Sequence, residues 1–155
     1  MAMSDDLVTP AWRDGHVEPG AVARAARGLA AGGVVGLPTE TVYGLAAVAR
    51  DRAAVARVFT IKGRPSDHPV IVHVAGAEAL RVWGSGVADY AVRLAEGLWP
   101  GPLTLVVPAA DDVPRSLTGG QDTVGLRCPA HPVALAVIDA QARPVSARPS
   151  SERRI

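Results

Sequence analysis

Short apolar runs alternate with amphipathic segments along this chain, and this alternation is the feature that most restricts its fold. The runs at 34–37, 70–74 and 103–107 are short and flanked by glycine, proline or polar residues, which is typical of buried strands. Residues 18–31 and 51–62 instead carry apolar side chains at helical spacing. Strands that alternate with helices in this way predict an α/β domain with a mixed sheet.

Local signals predict where some of these elements begin and end. The helix at 51–62 has Asp51 as a capping residue and ends near Gly63. Residues 108–121 are rich in Asp, Pro and Gly, which predicts a surface loop. The segment 87–98 is predicted to be an amphipathic helix, and its apolar face consists of Val87, Tyr90, Ala91, Leu94 and Leu98.

The length and composition of the chain suit one domain. It has 155 residues, of which 48% are apolar and only 4% aromatic, so we expect a core built from Ala, Val and Leu. We predict a loose lead-in at 1–17, the domain at 18–147 and an irregular basic tail at 148–155. The net charge of +1 argues against a protein that coats nucleic acid, although a local basic patch remains compatible with it.

Several classes of protein are disfavoured by what the sequence lacks. Its single cysteine, Cys128, cannot form an internal disulfide, and its interpretation as a small buried apolar residue is preferred over that of a nucleophile. No His or Cys spacing suggests a metal site. No apolar run is long enough to span a membrane, and the N-terminus does not resemble a secretory signal. These observations predict a cytoplasmic protein.

The first candidate binding segment is the cationic loop at 62–69. It contains Lys62, Arg64 and His68, and two prolines stiffen its backbone. A lysine offers a point charge and an arginine a planar fork, and both suit phosphate or carboxylate groups. The loop leads into the apolar run at 70–74, in which His73 is the polar residue. The alternative interpretation is a solvated basic loop between a helix and a strand.

A second candidate segment follows the predicted strand at 34–37. Thr39, Glu40, Thr41 and Tyr43 lie just beyond this strand, at its carboxyl end, where open α/β sheets bind ligands. The alternative is ordinary turn chemistry, with Thr39 or Thr41 capping a turn.

A third candidate segment is the alternating run at 122–127. Alternation places Thr123, Gly125 and Arg127 on one face of a strand. The alternative is an edge strand with a solvated face. We favour a functional interpretation because Pro129 and His131 follow Arg127 closely.

Four segments together resemble a known family. They are residues 38–45 (Pro-Thr-Glu-Thr-Val-Tyr-Gly-Leu), 62–73 (Lys-Gly-Arg-Pro-Ser-Asp-His-Pro and the strand that follows), 99–104 (Trp-Pro-Gly-Pro-Leu-Thr) and 123–132 (Thr-Val-Gly-Leu-Arg-Cys-Pro-Ala-His-Pro). In this order and spacing they are similar to the YrdC-like threonylcarbamoyl-AMP synthases, and the resemblance covers about residues 20–147.

The resemblance implies a fold and an activity. The fold is a twisted open mixed α/β sheet with flanking helices and a concave basic cavity. The activity joins L-threonine, bicarbonate or carbon dioxide, and ATP, and it forms threonylcarbamoyl-adenylate and pyrophosphate. The adenylate serves N6-threonylcarbamoylation of adenosine at position 37 of tRNA, which a separate transferase protein completes. Mg²⁺ is expected with the ATP.

The resemblance also implies roles for individual residues. The threonine-binding residues would be Thr41, His73 and Arg127, with Arg127 holding the carboxylate. It implies no covalent nucleophile and no metal ligand. The ATP-binding residues would be Lys62, Arg64, His68, Thr123 and Ser150.

The sequence departs from the family near its C-terminus. The family has a Pro-Ser-Ala-Asn motif there, and the best match here is 149–152, where Glu152 replaces the asparagine. A carboxylate at this position would repel a triphosphate. The last strands of the family's sheet are expected to be missing, and a truncated gene product is favoured over a natural short variant. Three alternatives follow: an RNA-binding module, an inactive remnant, and a carbamoyl-adenylate enzyme like those of hydrogenase maturation, whose extra domains this sequence lacks.

Overall fold

The elements of the chain are described from a computed structural model, which covers residues 12–13, 15–141 and 145–149. The alternation predicted from the sequence is confirmed. In chain order the elements are β1 (Trp12–Arg13), β2 (His16–Val17), α1 (Pro19–Ala30), β3 (Val35–Pro38), β4 (Tyr43–Val48), α2 (Arg52–Lys62), β5 (Ile71–His73), α3 (Ala79–Trp83), α4 (Asp89–Leu98), β6 (Leu105–Pro108), α5 (Arg115–Thr118), β7 (Thr123–Arg127), α6 (Pro132–Gln141) and β8 (Val145–Pro149).

Six of the strands form one mixed sheet, in the order β3-β4-β8-β5-β7-β6. Strands β5 and β7 pair in parallel, and every other neighbouring pair in this sheet is antiparallel. The predicted mixed sheet is therefore confirmed. Strand β7 lies between two neighbours, so the alternative that made it an edge strand is wrong. Strands β1 and β2 form a separate two-stranded ribbon within the predicted lead-in.

Three hydrophobic clusters pack against this sheet, the smallest of them between β4 and α2. One joins strands β5, β6 and β7 to the helices that precede them, and Trp83, Leu80 and Leu117 are at most 1% exposed within it. Another packs α1 and α6 against β3 and β4, through residues such as Leu29 and Val137. As the composition predicted, most of the buried side chains are those of Ala, Val and Leu.

Helix α2 begins and ends as its sequence predicts. The carboxylate of Asp51 accepts a hydrogen bond of 3.0 Å from the Ala54 N–H, which satisfies one of the free donors of the first turn. At the other end Gly63 adopts the left-handed conformation, with a φ of +61°. This cap delivers the chain directly into the cationic loop.

The structure corrects two of the predictions about local structure. Residues 108–121 are not loop throughout, because α5 lies within them. Strand β8 includes Arg148 and Pro149, which the sequence placed in an irregular tail. In the described part of the chain, no helix is both long and apolar enough to cross a membrane.

Helix α4 does not bury the face that its sequence pattern suggested. Tyr90, Leu94 and Leu98 are exposed, whereas Ala91 and Ala95 are buried. The small alanine side chains allow the helix to approach the core cluster closely, and the larger residues then fall on the solvent side. The helical period was predicted correctly, but the packed face was not.

Candidate active site

Arg127 is the centre of the candidate site. It ends β7 and is 7% exposed. Its Nε donates a 3.3 Å hydrogen bond to the Gly101 carbonyl, and its Nη1 donates a 3.1 Å hydrogen bond to the Thr41 hydroxyl. Its third nitrogen, Nη2, pairs with the carboxylate of Glu40. Burial lowers the pKa of Arg127 because desolvation disfavours its charged form. The guanidinium is therefore fixed by three groups from two parts of the chain, the turn between β3 and β4 and the segment at Gly101.

Glu40 is a site residue to which the sequence analysis assigned no role. Its carboxylate pairs with Arg127 and also accepts a hydrogen bond from the Ala130 N–H. Glu40 thus joins the turn between β3 and β4 to the segment that follows β7. The position of Glu40 between two threonines was the only sequence signal for it. No local pattern indicated that its partners would be Arg127 and Ala130, about 90 residues further along the chain.

The two threonines of this turn have different roles. Thr39 organises the turn itself, because its hydroxyl donates to the Val42 carbonyl at 2.8 Å and accepts from the Val42 N–H at 3.2 Å. The capping interpretation is therefore confirmed for Thr39. Thr41 instead directs its hydroxyl at Arg127, 3.1 Å away.

His73 lies beside Arg127, because the two residues are register partners on the parallel strands β5 and β7. Its side chain is 3% exposed, and neither ring nitrogen has a hydrogen-bond partner among the described residues. Burial lowers the pKa of His73 to about 4, so its imidazole is neutral near pH 7. A buried polar group without a partner is uncommon and costs free energy, so a polar ligand group would stabilise it.

The Trp-Pro-Gly-Pro corner holds the carbonyl that Arg127 binds. Trp99 Nε1 donates to the Leu103 carbonyl at 2.7 Å, and the Gly101 N–H donates to the Cys128 carbonyl at 2.8 Å. A Cβ on Gly101 would lie only 2.5 Å from the Leu98 carbonyl oxygen. Glycine is therefore needed here because the corner brings Gly101 back against the Leu98 carbonyl.

Cys128 follows Arg127 but is not a reactive group. Its side chain is fully buried, and burial, together with the charges of Glu78 and Asp139, raises the pKa of its thiol to about 11. The thiolate is therefore scarce at neutral pH. This confirms the interpretation of Cys128 as a small buried apolar residue.

The cationic loop connects α2 to β5 and carries the other candidate residues. Lys62 is the last residue of α2 and is half-buried, as is Arg64, whereas His68 is exposed. His68 Nδ1 lies 3.0 Å from the Asp67 carboxylate, which favours one orientation of this exposed imidazole. Residues 65–69 are all exposed, so only the two cations at the start of the loop are half-buried.

The candidate residues fall into two groups at different places on β5 and β7. Thr41, His73 and Arg127 come together at the carboxyl ends of these strands. Thr123 is half-buried at the opposite end of β7, four residues away, which corresponds to about 13 Å of extended strand. His68 precedes β5 and so belongs to the Thr123 end. Ser150 lies outside the described residues.

Comparisons with known proteins agree with this fold. The family model Sua5_yciO_yrdC, described as "Telomere recombination", matches residues 27–153. The chain is 52% identical to the threonylcarbamoyl-AMP synthase of Pyrococcus abyssi over 116 residues. It is 44% identical to that of Bacillus subtilis over 128 residues. The chain therefore belongs to the Sua5/YciO/YrdC family, as the four sequence segments suggested.

The relatives are longer than this chain. The match to the P. abyssi synthase covers 75% of this chain and 34% of that protein, and the match to the B. subtilis synthase covers 81% and 37%. A solved structure of P. abyssi Sua5 complexed with L-threonine superposes with a TM-score of 0.83 at 47% identity, over 86% of this chain and 39% of that one. The chain thus spans a little over a third of these proteins.

Proposed function

We propose that this chain carries the threonylcarbamoyl-AMP synthase activity of its relatives, forming threonylcarbamoyl-adenylate and pyrophosphate from L-threonine, bicarbonate and ATP. The observation that carries the proposal is the buried Arg127, held by Glu40, Thr41 and Gly101 beside an unpartnered His73. The similarity to a Sua5 that binds L-threonine supports it. We also propose that residues 18–147 form the domain that carries this activity.

The Arg127 end of the strand pair would hold the amino acid. A guanidinium suits a carboxylate because two parallel N–H groups can bind its two oxygens. Thr41 already contacts Arg127, and its hydroxyl can also bind the substrate. The neutral imidazole of His73 can accept or donate one hydrogen bond to the threonine, which would satisfy a buried polar group.

The cationic loop would hold the nucleotide. Lys62 and Arg64 supply charge for the triphosphate, and His68 and Thr123 lie at the same end of the sheet. When the carbamate oxygen attacks the α-phosphorus, negative charge grows on the leaving pyrophosphate. Fixed cations stabilise that charge without any covalent nucleophile from the protein. Ser150 belongs to this proposal only through the family resemblance.

Mg²⁺ would be bound mainly by the phosphates of ATP. Among the described residues there is no group of three or more His, Cys, Asp or Glu side chains that could hold a metal by itself. Magnesium commonly binds through substrate phosphates, water and one or two carboxylates, and Asp67 is the carboxylate of the cationic loop. When bound, the ion would neutralise part of the phosphate charge.

The product would be released and consumed by a separate enzyme. Threonylcarbamoyl-adenylate is a reactive mixed anhydride, so a transferase that modifies tRNA in the cytoplasm would consume it. A direct contact of this chain with RNA is a weaker hypothesis, because the net charge is only +1.

The decisive experiment measures L-threonine binding and pyrophosphate release with Arg127→Lys. We expect this variant to lose about 10- to 100-fold in threonine affinity, because lysine keeps the charge but loses the planar fork. Arg93→Lys, on the exposed side of α4, is the matched control and should behave as wild type. Threonine binding without pyrophosphate release would favour the inactive-remnant alternative. No threonine binding by the wild-type chain would overturn the proposal.

A further inference from the structure

Gly119 packs against the backbone of the cationic loop. It follows α5 with a φ of +61°. A Cβ built on it would collide with the Asp67 carbonyl oxygen and would lie 2.9 Å from the Pro69 nitrogen and 3.1 Å from the His68 carbonyl carbon. Only a residue without a Cβ allows two backbones to come this close. The turn after α5 therefore touches the loop on both sides of His68.

The loop is held at both of its ends. At the first end the Arg64 N–H donates to the Phe59 carbonyl at 3.2 Å, which continues the cap of α2. At the second end the Val70 N–H donates to the Leu117 carbonyl of α5 at 2.9 Å. Gly119 lies just beyond that bond. With both ends anchored, and with two prolines between them, the loop has little freedom to move independently of α5.

We infer that Gly119 is a positioning residue for the nucleotide site. Its close contact with the backbone of the cationic loop determines the position of that loop, and of His68 in particular, relative to the triphosphate. This inference rests on the proposed function, which assigns ATP to that loop. Asp67 completes the arrangement, because its carboxylate binds His68 Nδ1 and leaves Nε2 available to a ligand. A shift of the Asp67 backbone would therefore carry the imidazole with it.

Gly120 provides a matched control for the replacement of Gly119. Both glycines have a positive φ, +61° and +82°, so an alanine is strained at either position. Only at Gly119 does the added Cβ collide with the loop, because nothing lies within 4 Å of the corresponding position on Gly120. The difference between Gly119→Ala and Gly120→Ala therefore isolates the contact with the loop from the strain of the turn.

The first measurement is ATP and L-threonine affinity by calorimetry. We expect Gly119→Ala to lose about 10- to 100-fold in ATP affinity, because the loss of one hydrogen bond to a charged phosphate weakens binding by about that factor. We expect Gly120→Ala to bind ATP as the wild type does. Both variants should keep the wild-type threonine affinity, since Arg127 lies at the other end of β7. If the wild type binds ATP, equal ATP affinity in the two variants would overturn the inference.

The second measurement needs no ligand. The four histidines give ring signals in NMR spectra, and the His68 signal is assigned by its loss in His68→Gln. We expect Gly119→Ala to shift this signal and Gly120→Ala to leave it in place. An unshifted signal in Gly119→Ala would overturn the inference. In a third outcome, the wild type fails to bind ATP while the His68 signal still shifts in Gly119→Ala. That result would support the packing of Gly119 against the cationic loop and would overturn the assignment of ATP to this loop.

Discussion

The carboxylate of Glu40 and the guanidinium of Arg127 form an ion pair in which the two side chains are only 24% and 9% exposed. The same carboxylate binds the Ala130 N–H, so one side chain joins the first hairpin of the sheet to the far end of β7. Because Arg127 is otherwise bonded to a neutral carbonyl and a neutral hydroxyl, Glu40 supplies its charge partner. The pair therefore has consequences for both stability and binding.

Removal of Glu40 should destabilise the protein. We expect Glu40→Ala to lower the free energy of unfolding by about 2 kcal/mol, because it leaves a mostly buried guanidinium without its countercharge. Glu40→Gln should lose less, since its amide oxygen can still accept from Ala130. Urea denaturation of both variants tests this. Glu96→Ala, at an exposed position of α4, is the control, and an equally large loss there would contradict the prediction.

His73 should make stability depend on pH. Its pKa is about 4 in the folded chain and 6.5 when unfolded, so between these values only the unfolded state binds a proton. Stability therefore falls as the pH falls from 6.5 towards 4, by about 3 kcal/mol in total. Below pH 4 both states are protonated at this residue, and its contribution no longer changes.

Urea denaturation at several pH values measures this effect. We expect His73→Leu to show a weaker loss of stability between pH 6.5 and 4 than the wild type does. His16→Gln removes an exposed histidine and should retain the wild-type pH dependence. Parallel pH profiles for the wild type and His73→Leu would show that another group is responsible.

Gly101 should tolerate no side chain. An added Cβ would lie 2.5 Å from the Leu98 carbonyl oxygen, so Gly101→Ala must shift the corner that supplies a carbonyl to Arg127. We expect a loss of about 1–3 kcal/mol in the free energy of unfolding, together with weaker L-threonine binding. Gly97→Ala is the matched control: it has open space within α4 and should gain about 0.5–1 kcal/mol. Similar behaviour of the two variants would refute the steric argument.

Neighbouring residues of α4 should respond to the same replacement with losses of very different size. Leu94 is 40% exposed and Ala95 is 1% exposed. We expect Leu94→Gln to change the free energy of unfolding by less than about 0.5 kcal/mol, and Ala95→Gln to lower it by about 1–3 kcal/mol through overpacking. Thermal or urea denaturation distinguishes them. A larger loss for Leu94→Gln would mean that the helix buries the face its sequence pattern suggested.

Much of the local structure was predictable because its causes are local. Asp51 and Gly63 mark the ends of α2 through capping bonds that involve only their neighbours. The short apolar runs predicted strands for the same reason. The face of α4 was not predictable, since Tyr90 and Ala91 belong to overlapping apolar faces and only the neighbouring elements decide which one is buried.

The candidate site was predictable only in part. Arg127 and Thr41 were identified as separate candidates, and the structure brings them within 3.1 Å of each other. The pairing of Glu40 with Arg127 depends on the path of the whole chain, which no short pattern contains. The packing of Gly119 against the cationic loop has the same origin: a glycine in a polar segment resembles any turn glycine until the opposing backbone is known.

Strand β8 is the last strand of the described chain to be synthesised, yet it pairs with both β4 and β5 in the interior of the sheet. On a ribosome, β4 and β5 emerge first and each must wait with an unpaired edge until residues 145–149 leave the exit tunnel. Exposed edges of this kind invite pairing with other chains. We therefore expect the nascent protein to pass through a stage of two half-sheets, in which chaperones that shield strand edges would matter most.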